Sequence, residues 1–281
     1  MPDFKVPLKD YSFLFNDVLD MQSKYQHVKG GDQATPDMLD AIFSEAAKFS
    51  ETELAPLYQS GDKGCTWDDG VVTTPAGFKE AYAKFIEAGW TSLTGSPEMG
   101  GQGLPSSISI AINEMITTAN WAWAMYPGLS EGAVATLEDH GTDEQKQTYL
   151  TKLISGVWSG TMCLTEPHCG TDLGQLKTKA VPRDDGSYNI NGTKIFISAG
   201  EHDLTENIVH IVLAKLPDAP KGTKGISLFI IPKFLPAADG SAGERNGVRC
   251  GSIEHKMGIH GNGTAMLNFD DATGFLIGEP H

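Results

Sequence analysis

The period of the hydrophobic pattern changes once along the chain, near Gly156, and that change limits the folds open to it. Before it, apolar residues recur at three- and four-residue spacing, as on one buried face of a helix. After it they alternate, as in half-buried strands. A helical block followed by a strand block predicts an α+β chain of separate domains, not a doubly wound parallel sheet. The expectation is an N-terminal all-α domain followed by a β-sheet or barrel domain. A length of 281 residues suits about two domains and gives a core large enough to fold without disulfides or a structural metal.

Within the first block, Tyr11, Leu14, Phe15, Val18, Leu19 and Tyr25 form one apolar stripe that Gly30-Gly31 ends. Thr35-Pro36 reads as an N-cap with proline at the first helical position, before Leu39, Ile42, Phe43, Ala46 and Phe49. Thr74-Pro75 repeats that signal before Phe78, Tyr82, Phe85 and Ile86. Ile108, Ala111, Ile112, Met115 and Ile116 mark another helix, and a further one runs from about Leu129 to His140. Thr142 and Gln145 have capping-box spacing. In the second block, Asp184-Asp185-Gly186 and Asn191-Gly192 read as hairpin turns. Strands are expected around 194–198, 208–215, 225–231, 248–253 and 266–269. The domain reading is an N-terminal extension over 1–32, a helical domain over 33–158 and a β-domain over 159–281.

Charge narrows the function. Lys and Arg total 21 against 36 Asp and Glu, for a net charge of −15. Such a chain lacks the basic face that phosphate neutralisation needs, which excludes a nucleic-acid binder. No apolar run is long enough for a membrane span. Met1–Lys5 has neither a basic nor an apolar leader region, so the expected location is cytoplasmic. Cys65, Cys163, Cys169 and Cys250 are widely spaced and fit no zinc pattern, and the reading is four reduced thiols with no metal site. His255 and His260 read as ordinary loop histidines. Gly101-Gln102-Gly103 lacks the third glycine and the strand–turn–helix setting of a dinucleotide fingerprint. Ser130 has no nucleophile elbow around it.

One segment stands apart. Met162-Cys163-Leu164-Thr165-Glu166-Pro167-His168-Cys169-Gly170-Thr171-Asp172 closes a strand and opens a polar loop. Such a loop can turn backbone N–H groups and hydroxyls toward one bound anion. Its Cys163-Leu164-Thr165-Glu166-Pro167 and Gly170-Thr171-Asp172 resemble the flavin-binding signature of acyl-CoA dehydrogenases. Three further stretches resemble that family in order and spacing: 97–104, from Pro97-Glu98 to Gly103-Leu104; 191–198, Asn191-Gly192 to Ser198; and 256–264, Lys256-Met257-Gly258 to Thr264. His260 stands where many members have Arg, and Thr171 where many have Ser. The early extension and Tyr126-Pro127-Gly128-Leu129 are most similar to a long bacterial branch of the family.

The resemblance implies FAD as cofactor and α,β-desaturation of an acyl-CoA thioester, with hydride transfer to flavin N5. By the same resemblance, Met162, Leu164 and Thr165 would face the isoalloxazine edge, and Gly170 and Thr171 the pyrophosphate. Phe196 would pack on the ring, Ser198 would sit near N5, and Tyr126, with Thr171, would line the substrate site. Ile108, Ile112, Met115 and Trp121 could line the acyl pocket, although core packing is the default for such a stripe. The branch implies a methylthio-substituted or short-to-medium acyl group. Implied partners are an electron-transferring flavoprotein and further copies of the chain, as a homodimer or homotetramer. The family's catalytic Glu lies in a C-terminal helical domain that would follow His281. No catalytic residue is therefore assigned, and the 281 residues are expected to be inactive alone. An acyl-CoA oxidase, a flavin monooxygenase of the same fold, and a non-catalytic flavin or acyl-CoA binder are the rival readings.

Overall fold

The structure, a computed structural model, describes residues 4–281; the first three residues of the expected extension, and so most of the Met1–Lys5 stretch, lie outside the described residues. The extension is broken where one continuous stripe was expected. Helix α1 (Leu8–Phe13) runs into a π-helical turn over Leu14–Val18, and α2 (Met21–Tyr25) starts after Asp20 at φ 45°. A π turn rotates the following side chains out of the 3.6-residue register. Tyr11, Phe15 and Tyr25 are therefore buried, whereas Leu14, Val18 and Leu19 are exposed. Phe43 receives the buried pair, with ring centroids 6.2 Å from Tyr11 and 5.0 Å from Phe15.

Helix α3 (Pro36–Phe49) starts as the sequence indicates, with the Thr35 hydroxyl accepting from Met38 N at 3.3 Å. A short α4 (Tyr58–Lys63) is followed by a hairpin, β1 (Thr66–Asp68) and β2 (Val71–Thr73), inside the nominally helical block. The hairpin serves the β-domain. Val72 is buried in that domain's core, and Trp67 Nε1 donates to the Cys250 carbonyl at 3.2 Å. Thr74 likewise does not cap the next helix, α5 (Phe78–Glu87). Its hydroxyl donates to Asp203 at 2.7 Å, and Gly77 opens the helix instead.

Helices α6 (Ser106–Ala119) and α7 (Trp121–His140) complete the helical core. Asn120 caps α7, and Pro127 sits inside it, so the helix begins eight residues before its expected start. Pro127 is buried among packed neighbours, and tertiary packing tolerates the lost hydrogen bond. Ile108, Ile112 and Met115 are core residues and Trp121 is exposed. The Thr142–Gln145 capping box forms at α8 (Asp143–Gln145), and α9 (Thr151–Ile154) leads to the first long strand.

The second half is one curled sheet. Its strands are β3 (Trp158–Cys163), β4 (Lys179–Pro182), β5 (Tyr188–Ile197), β6 (Asn207–Ala214), β7 (Ser227–Pro232), β10 (Val248–Ile253) and β11 (Ala265–Ile277). Their order is β3-β6-β7-β11-β5-β4, with β10 also paired to β11 and a small pair, β8 (Phe234–Pro236) and β9 (Ala242–Arg245), beside it. Among the named strand pairs of the described residues, β3 and β6 run parallel and the others antiparallel. The sheet bends back on itself: Ala180 N donates to Lys215 O and Lys215 N to Thr178 O, each at 2.9 Å, joining β4 to the end of β6. Asn191-Gly192 is no turn. Both residues lie within β5, and a Cβ on Gly192 would come 2.4 Å from Thr178 Oγ1. The turn is at Asp184–Gly186 alone, where Gly186 N reaches Arg183 O at 3.2 Å.

The two halves meet along α7 and β3. Ser130 Oγ accepts from Gly160 N at 2.9 Å, and a Cβ on Gly160 would stand 2.4 Å from that of Ala133. Glycine is thus required for α7 to lie flat on the strand that leads to the site.

Candidate functional site

The polar loop after β3 is held by a buried ion pair. Glu166 and Cys169 close a tight turn through two backbone bonds, Glu166 N to Cys169 O at 2.8 Å and Cys169 N to Glu166 O at 3.1 Å. The Glu166 carboxylate then accepts from Lys177 N (2.8 Å), Thr178 N (3.0 Å), the Thr178 hydroxyl (2.6 Å) and Lys194 Nζ (2.9 Å). Lys194 is 0 % exposed and also donates to the Leu164 carbonyl at 3.1 Å. Burial pushes the Glu166 pKa up, but the Thr178 and Lys177 donors and Lys194 outweigh it and hold the carboxyl below its usual range. Burial lowers the Lys194 pKa, and Glu166 offsets only part of that.

This pair ties the loop to β5, whose end carries the other expected residues. Ile195 N donates to the Thr165 carbonyl at 2.9 Å, so the ends of β3 and β5 lie side by side. Met162, Leu164 and Thr165 lie in or just beyond the end of β3, and Phe196 and Ser198 in or just beyond the end of β5. Met162 is 41 % and Phe196 48 % exposed, an apolar side chain on each of the two strands that reaches solvent; Met162 is flanked by buried positions of β3, and Phe196 stands among half-buried and buried positions of β5. Phe196 sits at φ 58° and Ala199 at φ 52°. An L-residue in that left-handed region costs roughly 1–2 kcal/mol, and non-glycine strain of this kind concentrates at functional sites. Among the described residues, the hydroxyls of Thr165, Thr171 and Ser198 have no hydrogen-bond partner. Gly170 and Thr171 follow the tight turn, half-buried and exposed respectively. Exposed apolar side chains and hydroxyls without partners are the kinds of group that hold a ligand with apolar and polar parts.

Tyr126 does not belong to this surface. It is fully buried, its hydroxyl donates to Gly261 O at 3.0 Å and accepts from Gly263 N at 2.8 Å, and burial keeps the phenol protonated. Its role is to stitch α7 to the loop 256–264, and it has no accessible surface for a substrate. The carboxylate Glu201 is likewise spent, buried against Lys233 and 3.6 Å from Arg245. His260 Nδ1 is 3.1 Å from the Asp62 carbonyl, a loop-to-loop contact. Two features escaped the sequence reading: the Glu166–Lys194 pair and the strained Phe196. A lysine at an inward position of an apolar strand was the available signal for the first; nothing marks the second.

Comparison with known proteins identifies the family. Residues 36–157 match the family model "Acyl-CoA dehydrogenase, N-terminal domain", and residues 161–272 match "Acyl-CoA dehydrogenase, middle domain". The chain is 43 % identical over 280 residues to the 3-methylmercaptopropionyl-CoA dehydrogenase of Ruegeria pomeroyi, covering 98 % of this chain and 47 % of that protein. Among solved structures, butyryl-CoA dehydrogenase from Megasphaera elsdenii superposes with a TM-score of 0.71 at 29 % identity, over 88 % of this chain and 60 % of that one. An acyl-CoA dehydrogenase from Bacillus anthracis complexed with FAD gives 0.70 at 26 % identity, over 88 % and 39 %. The chain thus spans about half the length of the curated relatives it matches. With successive domain models in the right order and this fold beneath them, the chain belongs to the acyl-CoA dehydrogenase family, of which it carries the N-terminal and middle domains.

Proposed function

We propose that this chain forms the flavin-binding part of an FAD-dependent acyl-CoA dehydrogenase that introduces an α,β double bond into an acyl-CoA thioester. The observation that supports the reading is the junction of the ends of β3 and β5 through Thr165 O and Ile195 N, with Met162 and Phe196 exposed and the hydroxyls of Thr165, Thr171 and Ser198 without partners among the described residues. These residues fit the flavin of FAD: an apolar surface for the ring system, donors for its polar edge, and a small residue with a hydroxyl for the pyrophosphate. When bound, FAD supplies the hydride acceptor.

The chain's own contribution is positional. Met162 and Phe196 cover the ring, Leu164 and Thr165 present backbone and hydroxyl groups to its edge, and Ser198 fixes its orientation next to the reacting atoms. Gly170 and Thr171 give the anionic tail room and a donor. Glu166 and Glu201 are not free to remove the α-proton, because both are buried in ion pairs. The reading therefore assigns that base to residues outside these 281. The domain limits proposed are 1–32, 33–158 and 159–281, with the hairpin of β1 and β2 as a helical-domain arm on the β-domain. A methylthio-substituted or short-to-medium acyl-CoA is the proposed substrate. The proposed electron acceptor is an electron-transferring flavoprotein, and the full-length protein is proposed to be a cytoplasmic homo-oligomer.

The test is an anaerobic panel of saturated acyl-CoA thioesters against the full-length protein. Bleaching of the oxidised flavin with formation of the 2-enoyl-CoA is expected for at least one member. Bound flavin that no thioester bleaches would overturn the proposal. Subsequent exposure to oxygen separates a dehydrogenase, which reoxidises slowly, from an oxidase.

A further inference from the structure

We propose that the turn at the entrance to this site, Glu166–Cys169, is a binding site for one divalent cation of the zinc class. A carboxylate oxygen of Glu166, an imidazole nitrogen of His168 and Cys169 Sγ all lie within 4.8 Å of one another. Tetrahedral zinc, with bonds of about 2.0–2.3 Å, needs ligand atoms roughly 3.3–3.8 Å apart, so the set must contract by about 1 Å at most. The spacing Glu-x-His-Cys resembles no C-x-x-C pattern, and the site emerges only once the turn is folded.

The ligands are already oriented. Two backbone bonds between Glu166 and Cys169 hold both residues on one turn. His168 Nε2 lies 3.0 Å from the Gln175 carbonyl, a contact that the metal would replace when it takes that nitrogen. Glu166 divides its two oxygens. Oε1 takes Lys194 and Thr178, whereas Oε2 takes only Lys177 N and lies 3.5 Å from His168 Nε2. Cys169 Sγ is buried and, among the described residues, without a hydrogen-bond partner. His168 is 33 % exposed and opens a route from solvent.

Chemistry selects the cation. One sulfur, one nitrogen and one oxygen with a vacant fourth position suit zinc, and suit magnesium or calcium poorly. Binding converts the Cys169 thiol to a thiolate, so one proton leaves as the metal enters and affinity rises with pH. The dication adds two positive charges and the Cys169 thiolate offsets one, so Glu166 is shared between the metal and Lys194 and the cluster gains one positive charge. Gly170 and Thr171 are the next residues, so the metal would sit at the mouth of the proposed pyrophosphate site.

The experiment loads chelator-stripped, full-length, flavin-containing protein with zinc by equilibrium dialysis and counts metal per chain by elemental analysis. One zinc per chain is expected, with affinity at least tenfold weaker in both His168→Ala and Cys169→Ser and unchanged in Cys250→Ser. His168 is at the surface, so its variant tests the site even if Cys169→Ser folds poorly. Absence of stoichiometric zinc, or undiminished affinity in His168→Ala, would overturn the proposal.

Discussion

Replacing Lys194 by methionine in the full-length protein probes the pair on which the flavin loop hangs. The ammonium is fully buried and has two acceptors, Glu166 Oε1 at 2.9 Å and the Leu164 carbonyl at 3.1 Å. Removing it leaves Leu164 O without that donor and leaves a buried carboxylate to its three remaining donors, Lys177 N, Thr178 N and the Thr178 hydroxyl. Breaking one side of a buried ion pair costs about 3–5 kcal/mol, because the surviving charge keeps its desolvation penalty. The three remaining donors place the expected loss at the lower end, about 3 kcal/mol. Burial lowers the Lys194 pKa despite its partner, so the pair is a device of positioning more than a source of net stability. It follows that Lys194→Met combined with Glu166→Gln loses less than the sum of the two single losses, by 1 kcal/mol or more. The assay is denaturant unfolding followed by strand-domain fluorescence, with flavin retention measured on the same samples. Single variants within 0.5 kcal/mol of wild type, or strictly additive losses, would refute the reasoning.

Ser198→Ala removes one hydroxyl donor worth about 1 kcal/mol, so flavin binding should weaken roughly fivefold, as read by fluorescence titration; unchanged affinity and an unchanged rate of flavin reduction count against its assignment. His202 and His210 are buried and neutral, with burial first and Lys233 second pushing each pKa from 6.5 down to about 3. Below pH 6.5 the unfolded chain takes up protons that the native state refuses, so stability falls as pH drops from 6.5 toward 3, by about 1.4 kcal/mol per unit for each histidine. His210→Gln keeps a partner for Thr161 and should flatten the slope of stability between pH 7 and 5; an unaltered slope would disprove this origin. Gly160→Ala should cost about 1–3 kcal/mol by forcing α7 off β3, and Ala133→Gly should recover part of it in the double variant.

The legible parts of this molecule are those that local chemistry determines. Thr35-Pro36 and the Thr142–Gln145 box cap their helices because capping needs only neighbours in sequence. The change of period at Gly156 separates helices from the main sheet because burial on one face imposes it. What stayed hidden depends on distant partners. Thr74 looks like a cap, yet Asp203 claims its hydroxyl. Asn191-Gly192 looks like a turn, yet it is β5 threading past Thr178. The hairpin of β1 and β2 is too short to show a pattern and exists because the β-domain receives Trp67 and Val72. At the proposed site, motif resemblance named Met162 and Thr165 near the end of β3 and Phe196 and Ser198 near the end of β5, and the fold joins those two strand ends through Thr165 O and Ile195 N. It also named Tyr126, whose hydroxyl the loop 256–264 consumes.

Flavin affinity of Phe196→Ala in the full-length protein tests the placement of the site most directly. Phe196 is about half exposed in this structure and contributes little to the core, so its removal should leave unfolding within about 0.5 kcal/mol of wild type. Burying an aromatic side chain against a ligand is worth roughly 1.5–3 kcal/mol, so FAD should bind at least tenfold more weakly. Loss of flavin with an intact fold is the predicted result. Wild-type FAD affinity in the folded variant would contradict the account, because it would put the flavin away from the end of β5.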